Sequence, residues 1–417
     1  MVSRNDERKL RAGVSRTYRG GRIWIVTLSV FLWTMLGNAQ SGGPCSGAQA
    51  GKVACLFSDV VVGAVQSVNP SFSLDPRIPL GTSVISTQLT SALPMPAPSA
   101  GYIFQYDPNL GTARAERQSY GPIFGQRAET IGLHRFSLAF TSQSFGFDSV
   151  DGIDLHHQPS QLAIGDYVSS NQFDHDLHIG QNVLTAIYGV AERVDVSVAA
   201  PFSTVDYNLR YSGSYKSANP NEPGFNVVGS GHRTAQGIGD VNVQVKGTVL
   251  RRDRFSVATG ATLRLPTGDA YNILGAGAAG IRPFVVASFL YKRLTPHLNL
   301  GYLYNGQSVL AADSILSGEK RRIPSQFQYA IGADAGITGR LTLAFDVLGY
   351  EAIHAPRLKD YPVVSFTRQS FNVTSGSAGF KARIAGNVIF QANLLFRLNS
   401  AGLRSNVTPL VGLSYAF

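Results

Sequence analysis

From about residue 130 to the C-terminus the chain alternates apolar and polar residues with a period of two, the signature of strands with two unlike faces. Val241, Val243, Val245 and Val249 alternate with Asn242, Gln244, Lys246 and Thr248. The pattern returns in Leu298–Tyr304, Phe327–Ile337, Leu341–Val347, Val388–Leu398 and Val407–Phe417, and in Phe255–Leu265. Across these seven segments the apolar parity has 37 positions and none is charged. The opposite parity has 30, of which five are charged: Lys246, Arg264, Asp334, Asp346 and Arg397. The rest of that face is mostly Gly, Ala, Ser, Thr, Asn and Gln. A soluble sandwich buries its apolar parity and carries many charges on the other. Apolar residues toward lipid and small polar residues toward a confined interior fit the sequence better.

Connection lengths support closure. Short turns fall near 191–193, 251–254, 293–295, 338–340 and 385–387. Longer, polar, Gly-rich stretches lie at about 148–173, 212–236, 266–281, 305–325 and 350–365, with a brief one at 399–405. Strict alternation of short and long is expected when the two ends of an up-and-down barrel face different compartments. Eleven connections make twelve strands, starting at 133–141. The predicted fold is therefore all-β, a transmembrane up-and-down antiparallel β-barrel. The count becomes fourteen if a hairpin at 102–119 joins the wall. Closure also supplies every wall N–H and C=O with a partner, which lipid cannot. Pro283 falls near a predicted rim, whereas Pro409 lies inside the last strand and predicts a bulge or an imperfect closing seam.

Charged residues are 15% of the chain, against about 25% in soluble domains. Mean hydropathy is only +0.03, and one apolar run, Ile23–Leu36, approaches membrane-helix composition, which excludes a polytopic helical protein. With 23 Phe and 17 Tyr to bury, the chain is not disordered. Residues 1–22 carry seven basic and two acidic side chains; the apolar run and Gly37-Asn38-Ala39 follow. These predict a signal peptide, 1–39, cut before Gln40. Its removal lowers the formal charge from +10 to +5, so the pI of 9.6 gives no reason to expect nucleic acid. Residues 40–126 form a pre-barrel segment, a plug or a periplasmic appendage, with a helix near Thr82–Leu93. Its Cys45 and Cys55 are expected to pair in an oxidising compartment, two free thiols being the alternative. The barrel itself is expected at 127–417.

The C-terminal Val411-x-Leu413-x-Tyr415-x-Phe417 resembles the insertion signal of Gram-negative outer-membrane barrels. Glu192–Pro201, and Gly237-Ile238-Gly239-Asp240 with the alternation through to Leu265-Pro266-Thr267-Gly268-Asp269, resemble the phenol meta-pathway transporter family of outer-membrane proteins. The resemblance covers roughly 130–417. It implies a barrel similar in kind to long-chain fatty-acid and toluene channels, with no catalytic residues and no cofactor to carry over. The implied partners are outer-membrane lipids, the barrel-assembly machinery and a small-molecule solute.

Asp174-His175-Asp176-x-His178 is the most metal-like cluster, yet on a strand His175 and His178 point to opposite faces, so no metal site is assigned. The Gly-rich runs at 237–240 and 275–280 lack the Lys-Ser/Thr ending of phosphate loops. His134 and His297 lie on strand candidates but name no serine partner for a lipid hydrolase. The better functional candidates are the inward-parity charges, taken as lumen-lining: Arg135, Asp195, Lys246, Arg264, Asp334, Asp346, Lys381, Arg383 and Arg397. They would either favour anionic solutes or brace a filled barrel. The function expected is a channel, not an enzyme, for passive diffusion of small, hydrophobic or aromatic solutes. A structural or adhesive barrel with a closed lumen is the alternative, and an outer-membrane lipid hydrolase a remote third.

Overall fold

The structure, a computed structural model, describes residues 45, 49, 51–70, 80–98, 103–107, 112–116, 119–164, 167–313, 315–359 and 365–416. The signal peptide expected at 1–39 and the terminal Phe417 lie outside them. Fourteen strands make the main sheet. The first seven are β1 (Phe136–Phe147), β2 (Gln158–Ile164), β3 (Tyr167–Ala191), β4 (Val194–Ser217), β5 (Phe225–Ile238), β6 (Val241–Arg252) and β7 (Phe255–Leu265). The rest are β8 (Gly280–Phe289), β9 (Leu294–Asn305), β10 (Gln326–Thr338), β11 (Leu341–Lys359), β12 (Ser365–Ala385), β13 (Val388–Arg397) and β14 (Val407–Ala416). All but β2 and β5 close a ring in the order β3-β1-β14-β13-β12-β11-β10-β9-β8-β7-β6-β4, sealed by β3 against β4. The wall is thus a twelve-stranded antiparallel barrel. The hairpin Ile103–Asp107/Thr112–Glu116 pairs with itself and stays out of it.

Outward wall residues are exposed and apolar: Phe140, Leu184, Val245, Val285, Ile331, Phe345, Leu394 and Leu413. Their inward neighbours Thr141, Thr185, Gln244, Asp346, Asn393 and Ser414 are buried and polar. The ladder is interrupted where proline removes a donor. Between β8 and β9 the pairing skips Arg282 and Pro283. Pro409 pairs with Leu394 of β13 but lies one residue beyond the end of the β14–β1 ladder at Leu410–Gln143.

The first long connections are not loops over most of their length. β3 and β4 have 25 and 24 residues, about 80 Å at a strand's rise, far more than a ~30 Å hydrocarbon layer needs. Their near halves pair with β1 and β6, and their far halves with β2 and β5, so a four-stranded arm stands beyond the wall. Polarity inverts along them. In the wall Leu184 and Val198 face out and Thr185 and Ser197 face in. In the arm Gln172, Asp174, Asp176 and His178 face out, while Phe173, Leu177, Ile179, Leu209 and Tyr211 are buried. The strand changes solvent between these stretches.

The arm's buried face receives helix α1 (Leu56–Val68), with Leu56, Phe57, Val61 and Val65 in the shared core. Gly229 and Gly231 of β5 make the bed: a Cβ at Gly231 would sit 2.6 Å from Val60 and 2.7 Å from Leu56. A disulfide joins Cys45 to Cys55, which precedes α1, with Cα atoms 5.7 Å apart. Helix α2 (Leu80–Ala92) seats on the other long connections through Thr87 to Leu310 O and Gln88 to Pro356 O and Asp151. His175, of the metal-like cluster, is buried in the arm core, stacked on Phe57, Phe173 and Tyr207, with Nδ1 2.7 Å from the Tyr207 hydroxyl. His178 lies on the opposite, outer face beside Asp176. Among the described residues no group of His, Cys, Asp and Glu is arranged to hold a metal.

Two outcomes follow from this layout. Ile331→Arg, in the outward belt, should cost about 2–4 kcal/mol in urea unfolding from lipid vesicles, and Ser170→Arg, outward on the arm, should cost almost nothing; equal costs would remove the solvent boundary. Burial, with His156 adding to it, holds the His175 ring's pKa down to about 4, against 6.5 when unfolded. The arm's stability is therefore full above pH 6.5 and falls by up to about 3 kcal/mol as pH drops toward 4. Hydrogen exchange of α1 should accelerate over that window, and His175→Phe should abolish the acceleration; an unchanged profile in that variant would exclude His175 as its origin.

Candidate functional site

The segment 119–131 has no helix or strand, and all of it but Arg127 and Glu129 is buried inside the barrel. An irregular backbone there must find its hydrogen bonds on the wall. It finds them on inward side chains near the short-turn end. Asp346 accepts from the N–H of Phe124 and Gly125, Asp195 from Ile131, Asn299 from Gln126, Thr342 from Tyr120 and Ser288 from Ala128. Lys381 donates to the carbonyls of Tyr120 and Pro122, and Lys246 to those of Arg127 and Glu129, the latter at 2.8 Å. Arg127 forks onto Asp334, which also takes the Ser119 hydroxyl. His297 stands between the two acids, its Nε2 2.7 Å from Asp346 and its Nδ1 3.9 Å from Asp334.

Five of the nine inward charges read from the sequence, Asp195, Lys246, Asp334, Asp346 and Lys381, therefore address this one segment. Arg264 and Arg397 border a cavity above it. Arg135 and Arg383 are half-buried where β1 begins and β12 ends. Sequence reasoning missed Arg127, which precedes any alternation, and underrated His297, whose inward parity beside Leu298 was legible. His297 bonds to Asp346 and to the Thr295 carbonyl, and His134 to the Tyr188 hydroxyl, so neither shows a serine partner among its described bonds.

Above the segment lies a cavity of about 360 Å3. Its floor is Phe124 and Gln126, and its roof is Leu310, Ile273, Leu274 and the strap Leu93-Pro94-Met95-Pro96-Ala97-Pro98. The strap is tied to floor and wall: Ala97 N–H donates to Ile123 O, and Gln143 donates to Pro94 O. The 266–279 connection folds over the chamber because Asp240, at the break between β5 and β6, accepts from Gly268 and Ala276 N–H. The walls mix Phe145, Phe147, Phe284 and Leu348 with Gln244, Asn299, Gln328 and Tyr350. Ser405 and Thr408 bring the lining to the wall seam beyond Pro409.

No family model matches the sequence, and no curated protein matches it. Several solved structures align with the chain. An outer membrane channel from Pseudomonas putida F1 aligns at 13% identity over 70% of this chain and 98% of that one, with a TM-score of 0.46. The toluene transporter TbuX of Ralstonia pickettii aligns at 12% over 69% and 90%, TM-score 0.32. A FadL homologue of Pseudomonas aeruginosa aligns at 9% over 68% and 89%, TM-score 0.33.

Segment 119–131 fills the short-turn end of the barrel, and its anchors hold it there. A Cβ on Gly125 would run into the His297 ring and the Asp346 carboxylate. Gly125→Val, and separately Lys381→Met, should turn a mostly silent full-length protein into a conducting one in planar bilayers. Equal conductance of wild type and both variants would mean that 119–131 is not the barrier.

Proposed function

We propose that this chain is an outer-membrane channel through which small apolar or aromatic solutes diffuse down their gradient, with segment 119–131 as its plug. The observation that carries the reading is the chamber. Its volume of about 360 Å3 lies in the range of small-molecule sites and exceeds what one benzene-sized ring needs. Aromatic and aliphatic side chains supply the larger part of its body, interrupted by amides, hydroxyls and arginines, the composition of a site that takes a guest with an apolar body and a polar end.

The roof and the arm mark the entry side for the solute, and the stretch 405–409, between the end of the β14–β1 ladder and the pairing of Arg404 with Ser149, gives the chamber an edge at the wall. Export by a cleaved leader and insertion by the C-terminal aromatic signal belong to the same proposal. A closed-lumen structural barrel is favoured by one observation, that segment 119–131 lies inside the short-turn end, held there by Asp195, Lys246, Asp346 and Lys381.

Uptake separates the two. Cells with a lipopolysaccharide outer leaflet should take up labelled phenol several-fold faster when they express this chain. Leu348→Trp, which fills the chamber, should return uptake to the background while the barrel keeps its heat-modifiable migration on gels. Uptake unaffected by expression of the wild-type chain would leave the closed-lumen barrel.

A further inference from the structure

The chamber is unevenly charged. Four arginines border it, Arg264, Arg282, Arg397 and Arg404, and a single acid, Asp240. Asp240 is already engaged by two backbone N–H groups and stands 3.7 Å from Arg264. Arg404 donates to the Thr374 carbonyl and the Ser375 hydroxyl, and Arg397 to the Ser149 hydroxyl. Arg282 is held differently. It points inward from β8, its two terminal nitrogens bonded to Gln328 at 2.9 Å and Thr262 at 3.2 Å, and its guanidinium lies 5.6 Å from the Phe284 ring centre. No carboxylate pairs with it among the described residues.

A guanidinium in a covered cavity with only neutral acceptors is a costly arrangement unless an anion arrives to complete it. Its bonds to Gln328 and Thr262 use two of five N–H donors and fix the plane of the fork. A carboxylate is the anion whose two oxygens match that fork. The surrounding apolar side chains lower the local dielectric, which strengthens the attraction over its value in solution. The apolar body of the guest then has Phe284 on the same strand and the Leu93–Pro98 strap to lie against.

Resting on the channel reading above, we infer that the preferred guest is a small aromatic monocarboxylate, its carboxylate on Arg282 and its ring against Phe284. Arg264, on the neighbouring strand and one diagonal step away, adds to the positive potential. Arg397 is on β13, six strands around the ring of twelve from β7, so it forms a separate basic station on the facing wall.

The test is 19F NMR titration of the full-length protein in detergent with 4-fluorobenzoate, ionised at pH 7, and with neutral 4-fluorotoluene, each against protein-free micelles. The expected result is at least tenfold tighter binding of 4-fluorobenzoate, weakening as salt rises. Arg282→Gln, checked for heat-modifiable migration, should lower the benzoate-to-toluene affinity ratio at least tenfold, and Arg282→Lys should lower it less, since it keeps the charge and loses the fork. Retention of the full ratio in Arg282→Gln overturns the assignment to Arg282. Binding of 4-fluorotoluene as tight as that of 4-fluorobenzoate overturns the anion preference and leaves the channel reading standing. Binding of neither compound overturns both.

Discussion

A backbone N–H or C=O that loses water must find another partner, and this requirement organises the molecule twice. In the wall it forces closure: twelve antiparallel strands pair around a ring, and β3 on β4 removes the last edges. Inside the ring it explains the inward face. Segment 119–131 has no internal ladder, so Asp195, Lys246, Asn299, Asp346 and Lys381 stand where its N–H and C=O groups need them. With Asp334, these four charges are the complementary half of one irregular peptide, while Arg264 and Arg397 border the chamber instead.

The second constraint is the change of solvent along β3 and β4. A strand in lipid wants apolar residues outside, and the same strand in water wants them inside against α1. Because side chains alternate strictly, the inversion needs no bulge and no change of direction. It needs only the apolar residues to move from the even positions of β3, such as Leu184, to the odd ones, such as Leu177 and Phe173. α1 is therefore part of the fold's economy: without it the inner faces of the arm, with Leu209, Tyr211 and Tyr215, would be open to water.

This inversion also marks where the sequence was readable. The wall was legible because one parity stayed apolar and uncharged from Val241 onward and because turn lengths alternated. Much of the arm, within 148–173 and 212–236, was misread as polar loops, and at 174–178 the residues were weighed as a metal-like cluster while the alternation of Phe173, Leu177 and Ile179 was not followed. The inward charges were legible by parity alone. Their partners were not: Arg127, Gln126 and Gly125 lie in a stretch without period, and their contacts with Asp334, Gln244 and Asp346 span more than a hundred residues of sequence. Arg282 escaped for a related reason, being next to Pro283 in a stretch where the alternation seemed to end at a rim.

On the channel reading proposed above, the chemistry of segment 119–131 bears on what it costs to move it. Hydrogen bonds and ion pairs fix 119–131 along its length, beside three small apolar clusters: Ile123 and Phe124 with Leu395, Leu410 and Ala344, Tyr120 with Ile389 and Ala416, and Ala128 with Ala258, Phe284 and Val286. A plug held by packing would leave a dry cavity when it moved, at a cost that grows with the volume exposed. A plug held by polar contacts leaves groups that water can satisfy, so each broken bond is replaced and the net cost per bond is of order 1 kcal/mol. The buried Arg127–Asp334 and His297–Asp346 contacts are the exception, because a charge left without partner in a narrow lumen costs about 3–5 kcal/mol. On that reading the cost of moving the segment is concentrated at the two acids beside His297.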